Sequence, residues 1–120
     1  MKKILMVDDQ AASINLVSYF LDGKYDLYSA KTIAQAFSLL RSNTFDLILL
    51  DVLMPGMSGI EFFQYIQDER QSAKTPVIFV SSESDINVVS QAIKLGAMGY
   101  IKKPIDAERL INKIQAAIGK

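Results

Sequence analysis

The chain has neither cysteine nor histidine among its 120 residues. Without cysteine it can form no disulfide, no thiolate metal site and no thiol nucleophile. Without histidine it lacks the commonest transition-metal ligand and the side chain that most often serves as a base near neutral pH. Any metal it binds must therefore be a hard cation held by oxygen. Net charge is absent as well: 13 basic residues balance 13 acidic ones, so no basic field exists to drive salt-dependent binding to nucleic acid or attachment to anionic lipid. Long apolar runs are missing too. After Met1-Lys2-Lys3 only four apolar residues precede Asp8 and Asp9, far short of a signal peptide or a membrane span. The expectation is a cytoplasmic protein that engages neither membrane nor nucleic acid directly. No linker, internal repeat or low-complexity stretch interrupts the sequence. With half of the residues hydrophobic, one domain over residues 1–120 is expected.

What is present is a series of short apolar blocks: Ile4-Leu5-Met6-Val7, Leu47-Ile48-Leu49-Leu50 and Val77-Ile78-Phe79-Val80. None alternates with polar residues, so each reads as a strand buried on both faces, as in a parallel sheet covered by helices on two sides. Tyr25 to Ala30 reads as a weaker edge strand and Gly99 to Lys102 as a last short one. Between the blocks the apolar period becomes helical, as in Ile33, Ala36, Phe37 and Leu40, and in Leu110, Ile114, Ala117 and Ile118. Helix starts are signalled by Thr32 with Gln35, by Ser58 with Glu61, and by Asp85 and Asp106; stops by Gly23, Gly96 and Gly119. Phe62, Phe63 and Ile66 read as core. Five strand–helix units in strict alternation predict a doubly wound α/β fold with a five-stranded parallel sheet and helices on both faces. The two weak strands, second and fifth, are the natural edges, which agrees with the order 2-1-3-4-5.

Each strong strand ends in polar residues: Asp8-Asp9 after the first, Asp51 after the third, Ser81-Ser82 after the fourth. Doubly wound sheets bind ligands outside the carboxyl ends of their strands, where the winding reverses, so these residues should converge on one crevice. Clustered carboxylates repel and raise one another's pKa unless a positive charge lies among them. Lys103 and a bound divalent cation can each supply it, and an all-oxygen ligand set favours Mg2+. An acidic pocket with magnesium, a lysine and a hydroxyl suits phosphoryl transfer. Singly these residues say little, since aspartate at a strand end is commonly a turn former and serine a cap. Their conjunction carries the reading.

The segments Val7-Asp8-Asp9, Leu49 to Gly59, Val80-Ser81-Ser82 and Gly96 to Pro104 resemble, in order and spacing, the receiver domain of bacterial response regulators, chemotaxis regulators included. The resemblance runs from Lys3 to the last helix. It implies a flavodoxin-like (βα)5 fold and a phosphorelay role in two-component signalling, with Asp51 taking a phosphoryl group from a sensor histidine kinase or phosphotransfer protein. It further implies that Asp9, Asp51 and the backbone carbonyl of Leu53 ligate Mg2+, with Asp8 acting mainly through a coordinated water. Lys103 would pair with a phosphoryl oxygen, Ser81 would be the switch hydroxyl and Tyr100 the aromatic whose rotamer follows it. Lys103-Pro104 is expected to be cis, and Gly56 and Gly59 to shape the loop after Asp51. Leu53 and Glu83 fall at positions that tune hydrolysis of the acyl phosphate, and Ser82 stands where Ala or Gly is more usual. The output surface would be the fourth helix, fifth strand and fifth helix, Asp85 to Ile118, acting on an attached or separate effector or in a phosphorylation-dependent homodimer. Such a chain is a signalling switch rather than an enzyme.

Two rivals fit less well. A magnesium-dependent phosphatase of the aspartyl-phosphate type usually has a second Asp two residues after the nucleophile, where this chain has Leu53. The second is a binding module of the same fold. A flavodoxin-like cofactor binder needs a Ser/Thr-rich loop after the first strand, where Asp8-Asp9-Gln10 would repel phosphate without a cation. A degenerate receiver that works without phosphorylation needs a lost acidic or lysine position, and none is lost.

Overall fold

The computed structural model describes residues 1–54, 56–68, 74–82 and 86–119; Glu83 and Asp85, singled out in the sequence, lie outside these. Five strands and five helices alternate: β1 Lys3–Val7, α1 Ala11–Leu21, β2 Asp26–Ala30, α2 Ile33–Ser42, β3 Leu47–Leu50, α3 Gly59–Asp68, β4 Val77–Ser81, α4 Ile86–Lys94, β5 Gly99–Lys102 and α5 Ala107–Ile118. The strands pair in parallel in the order β2-β1-β3-β4-β5, with the two weak strands at the edges as expected.

The unbroken apolar blocks follow from burial on two sides. Successive side chains of a strand point to opposite faces, and here each face has its own core. Leu5, Val7, Ile48, Leu50, Val77 and Phe79 pack on one side with Ala36 of α2, Phe62, Phe63 and Ile66 of α3 and Ala92 of α4. Ile4, Met6, Leu47, Leu49, Ile78 and Val80 pack on the other with Ile14, Val17 and Leu21 of α1 and Leu110 and Ile114 of α5. The central strands therefore have no polar side to display.

Local signals set the helix ends. Thr32 Oγ1 accepts from the Gln35 backbone N–H at 3.1 Å, and Ser58 Oγ and Asp106 Oδ2 do the same for Glu61 and Arg109. Gln35 differs in one detail from a reciprocal capping box: its side chain accepts from Lys31 N–H rather than from the cap residue itself. Gly23, Gly96 and Gly119 follow their helices with positive φ, the conformation that ends a helix at least cost in glycine. Among the described residues no helix is long and apolar enough to cross a membrane.

Winding reverses between β1 and β3, so the crevice of this sheet opens at their carboxyl ends. The ladders run right up to it: Asp8 N–H donates to Ala30 O and Asp51 N–H to Val7 O, both at 3.0 Å. Two acidic residues are thereby fixed by sheet hydrogen bonds at the mouth of the crevice.

Candidate functional site

Asp8, Asp9 and Asp51 meet here. One carboxylate oxygen from each lies within 4.8 Å of the others. Asp8 and Asp51 are buried, at 0% and 5% exposure, while Asp9 faces solvent. Local hydrogen bonds orient the buried pair, since Asp8 Oδ1 accepts from Gln10 N–H at 2.9 Å and Asp51 Oδ1 from Leu53 N–H at 3.0 Å. Each carboxylate has thus committed one oxygen to the backbone and presents the other to the pocket.

Those second oxygens face Lys103. Its Nζ lies 2.8 Å from Asp8 Oδ2 and 3.1 Å from Asp51 Oδ2, and it donates to Gln10 Oε1 at 2.8 Å. The Lys103-Pro104 bond is cis, as expected. Burial alone would lower the lysine's pKa, but the Asp8 and Asp51 carboxylates outweigh it and hold the ammonium above its ordinary 10.5. Asp8 is raised above the usual carboxylate value. Burial is the main cause, opposed by Lys103 and the Gln10 N–H, and repulsion from Asp51 adds least. The repulsion expected among clustered carboxylates acts here in the expected direction, and desolvation exceeds it because the sheet seals Asp8 completely.

The donor set suits a hard cation. All ligand atoms are oxygens, one carboxylate is open to solvent, and Asp8 Oδ2, though in ion contact with Lys103, receives no well-angled hydrogen bond among the described residues. Such an oxygen still has lone pairs to give.

The loop after Asp51 is tightly built. Gly59 N–H donates to Val52 O at 2.7 Å, and a Cβ at Gly59 would come within 2.7 Å of Val52 Cα and collide with the Asp51 carbonyl. Only glycine lets α3 start this close to the site. Gly56 adopts φ 87° in the same loop. Leu53 is 55% exposed beside the pocket. Ser81 is fully buried at the end of β4, and its backbone carbonyl accepts both Lys103 N–H at 2.9 Å and the Tyr100 hydroxyl at 3.2 Å. Tyr100 is half-buried and packs against the core beneath α4. Ser82 and Lys102 are exposed.

The residue that sequence reasoning missed is Gln10. The available signals were its place directly after the acidic pair and a side chain long enough to cross the pocket.

Comparison with known proteins agrees with this geometry. The family described as response regulator receiver domain matches residues 4–115. The chain is 34% identical to the response regulator protein PilR of Pseudomonas aeruginosa, over 98% of this chain and 26% of PilR. It is also 34% identical to the response regulator ArlR of Staphylococcus saprophyticus, over 98% of this chain and 53% of ArlR. The chain thus spans about half or less of these relatives. Among solved structures, the chemotaxis protein CheY4 of Vibrio cholerae superposes with a TM-score of 0.90 at 30% identity, covering 98% of both chains. A CheY-like receiver domain protein from Methanospirillum hungatei gives 0.89 at 26% identity, covering 98% of this chain and 94% of that one. A family match across almost the whole length, on a sheet wound in this order with its acidic residues at the switch point, means that the chain belongs to the response regulator receiver domains of two-component signalling.

Proposed function

We propose that residues 1–120 form one receiver domain that accepts a phosphoryl group on Asp51 from a phosphohistidine of a sensor histidine kinase or phosphotransfer protein. The observation that carries this reading is the meeting of Asp8, Asp9 and Asp51 around Lys103 at the carboxyl edge of the sheet. Asp51 is the one of the three that is both buried and adjacent to the loop after β3, with Oδ1 tied to Leu53 N–H and Oδ2 turned to the pocket.

In the proposed step the pocket-facing oxygen of Asp51 attacks phosphorus. An O–P bond forms and the P–N bond of the phosphohistidine breaks, the leaving imidazole keeping the electron pair and taking up a proton. Asp8, Asp9, Asp51 and the Leu53 backbone carbonyl would hold Mg2+, which when bound offsets the negative charge gathered on the transferring group. Lys103 supplies a second, permanent positive charge, whose contact can pass from the Asp51 carboxylate to a phosphoryl oxygen. The phosphoryl group brings close to two negative charges while the carboxylate gives up its own, so the product is about one charge more negative and carries that charge on new oxygens. Ser81 and Tyr100, already linked through the Ser81 carbonyl, are the proposed switch. Their movement would shift the equilibrium of the face made by α4, β5 and α5, so that it binds or releases an effector, attached or separate, or a second copy of the chain. The setting proposed is the cytoplasm, and the role that of a switch, which turns over only its own acyl phosphate.

Incubation with acetyl phosphate and magnesium tests the reading. Wild type should become labelled and Asp51→Asn should not; full labelling of the variant would sink the assignment.

A further inference from the structure

Gln10 stands at the N-cap of α1, where Ser, Thr, Asp or Asn usually accepts a hydrogen bond from the first turn. Its side chain makes no such cap. It crosses instead to a residue ninety-three positions away, Oε1 accepting from Lys103 Nζ at 2.8 Å. An ammonium can only donate, so the amide oxygen must be the atom that faces it. Ser13 Oγ, from the first turn of α1, makes a longer contact with the same oxygen at 3.4 Å. The Gln10 backbone N–H holds Asp8 Oδ1 at 2.9 Å. One residue therefore steadies both Asp8 and the lysine opposite it.

An ammonium has three N–H donors, and this one donates to Gln10 Oε1 and Asp51 Oδ2 while lying in ion contact with Asp8 Oδ2. If Asp51 is phosphorylated, its pocket oxygen becomes part of an acyl phosphate and loses its charge, while new anionic oxygens arise beside it. Lys103 must then redirect one donor, and the partner it leaves most readily is Asp51. We infer that Gln10 is a positioning residue that fixes one N–H direction of Lys103 while the ion contact with Asp8 anchors the ammonium, so that the donor now on the Asp51 carboxylate passes to a phosphoryl oxygen. The inference rests on the proposal that Asp51 is the phosphoacceptor. Without Gln10 the lysine turns about its contact with Asp8 and presents its donor in line less often. Affinity for magnesium, set by the carboxylates, stays as it was.

The test compares wild type, Gln10→Ala, Gln10→Glu and Asp51→Asn, measuring the rate of labelling at saturating acetyl phosphate and magnesium, and magnesium affinity by calorimetry. Gln10 is exposed and makes no side-chain cap, so both Gln10 variants should fold. Gln10→Ala is expected to label about three- to ten-fold more slowly, the loss of one charge-assisted hydrogen bond, with magnesium affinity within about two-fold of wild type. Gln10→Glu keeps an acceptor of the same reach and should restore the rate to within about two-fold. A merely structural role would not be rescued in this way. Wild-type labelling by Gln10→Ala, or equal slowing in Gln10→Ala and Gln10→Glu, overturns the inference and leaves the Asp51 assignment standing if Asp51→Asn is unlabelled. A wild type that does not label overturns both.

Discussion

Asp8 carries a charge where the fold disfavours one. Burial raises its pKa despite Lys103 at 2.8 Å, so the ionised carboxylate is less favourable in the folded chain than in water. A neutral isostere should then be better tolerated. In chelator at neutral pH we expect Asp8→Asn to gain about 1 kcal/mol in urea unfolding, Lys103 keeping Asp51 and Gln10 as partners. The pH dependence has a definite sign. A carboxyl whose pKa is higher folded than unfolded binds protons preferentially in the folded state, so its cost is complete above the folded value. That cost is relieved as pH falls through the folded value toward 3.8. The stability of wild type relative to Asp8→Asn should therefore rise on acidification across that window; a constant difference would show that Asp8 is not the strained group. Such strain is sensible at a site built to gather carboxylates for a cation.

At the scale of elements, α3 must begin against the backbone of the loop after β3. In an unconstrained helix alanine is favoured over glycine by about 1 kcal/mol. At Gly59 the overlap of a Cβ with Asp51 and Val52 reverses the sign, and Gly59→Ala should lose about 1–3 kcal/mol in chemical denaturation. A stabilised variant would contradict the close approach. Farther along α3, Phe62 is fully buried and packs on Phe37 with ring centroids 5.2 Å apart. Phe62→Ala should cost about 3–5 kcal/mol by the same measurement. These elements were legible in the sequence because their causes are local: the apolar blocks have both faces covered, and Thr32, Ser58 and Asp106 bond N–H groups three residues on. Most of the site was legible for a related reason, since Asp8-Asp9 and Asp51 follow buried strands, and a doubly wound sheet gathers the carboxyl ends of such strands at one crevice. Gln10 was not. Its partner is ninety-three residues away, and no periodicity or spacing marks a contact between two loops. Nor was the desolvation of Asp8 legible, because how completely the sheet seals a carboxylate depends on packing from both faces.

For the whole molecule, two cores back one sheet and leave its carboxyl edge to the acidic residues, so anything bound there is linked to the stability of the entire fold. A divalent cation that binds only the folded chain should stabilise it by about 2.7 kcal/mol at a hundred times its Kd. Magnesium should accordingly raise the melting temperature of wild type in proportion to the logarithm of its concentration, and much less that of Asp9→Asn; equal shifts would place the ion elsewhere. The central claim is more specific still, that Asp51 is where the phosphoryl group goes. Peptide mapping by mass spectrometry after reaction with acetyl phosphate and magnesium addresses it directly. The account predicts one phosphoryl group, on Asp51; a group mapped to Asp8, Asp9 or a serine, or a protein left unmodified, would contradict it.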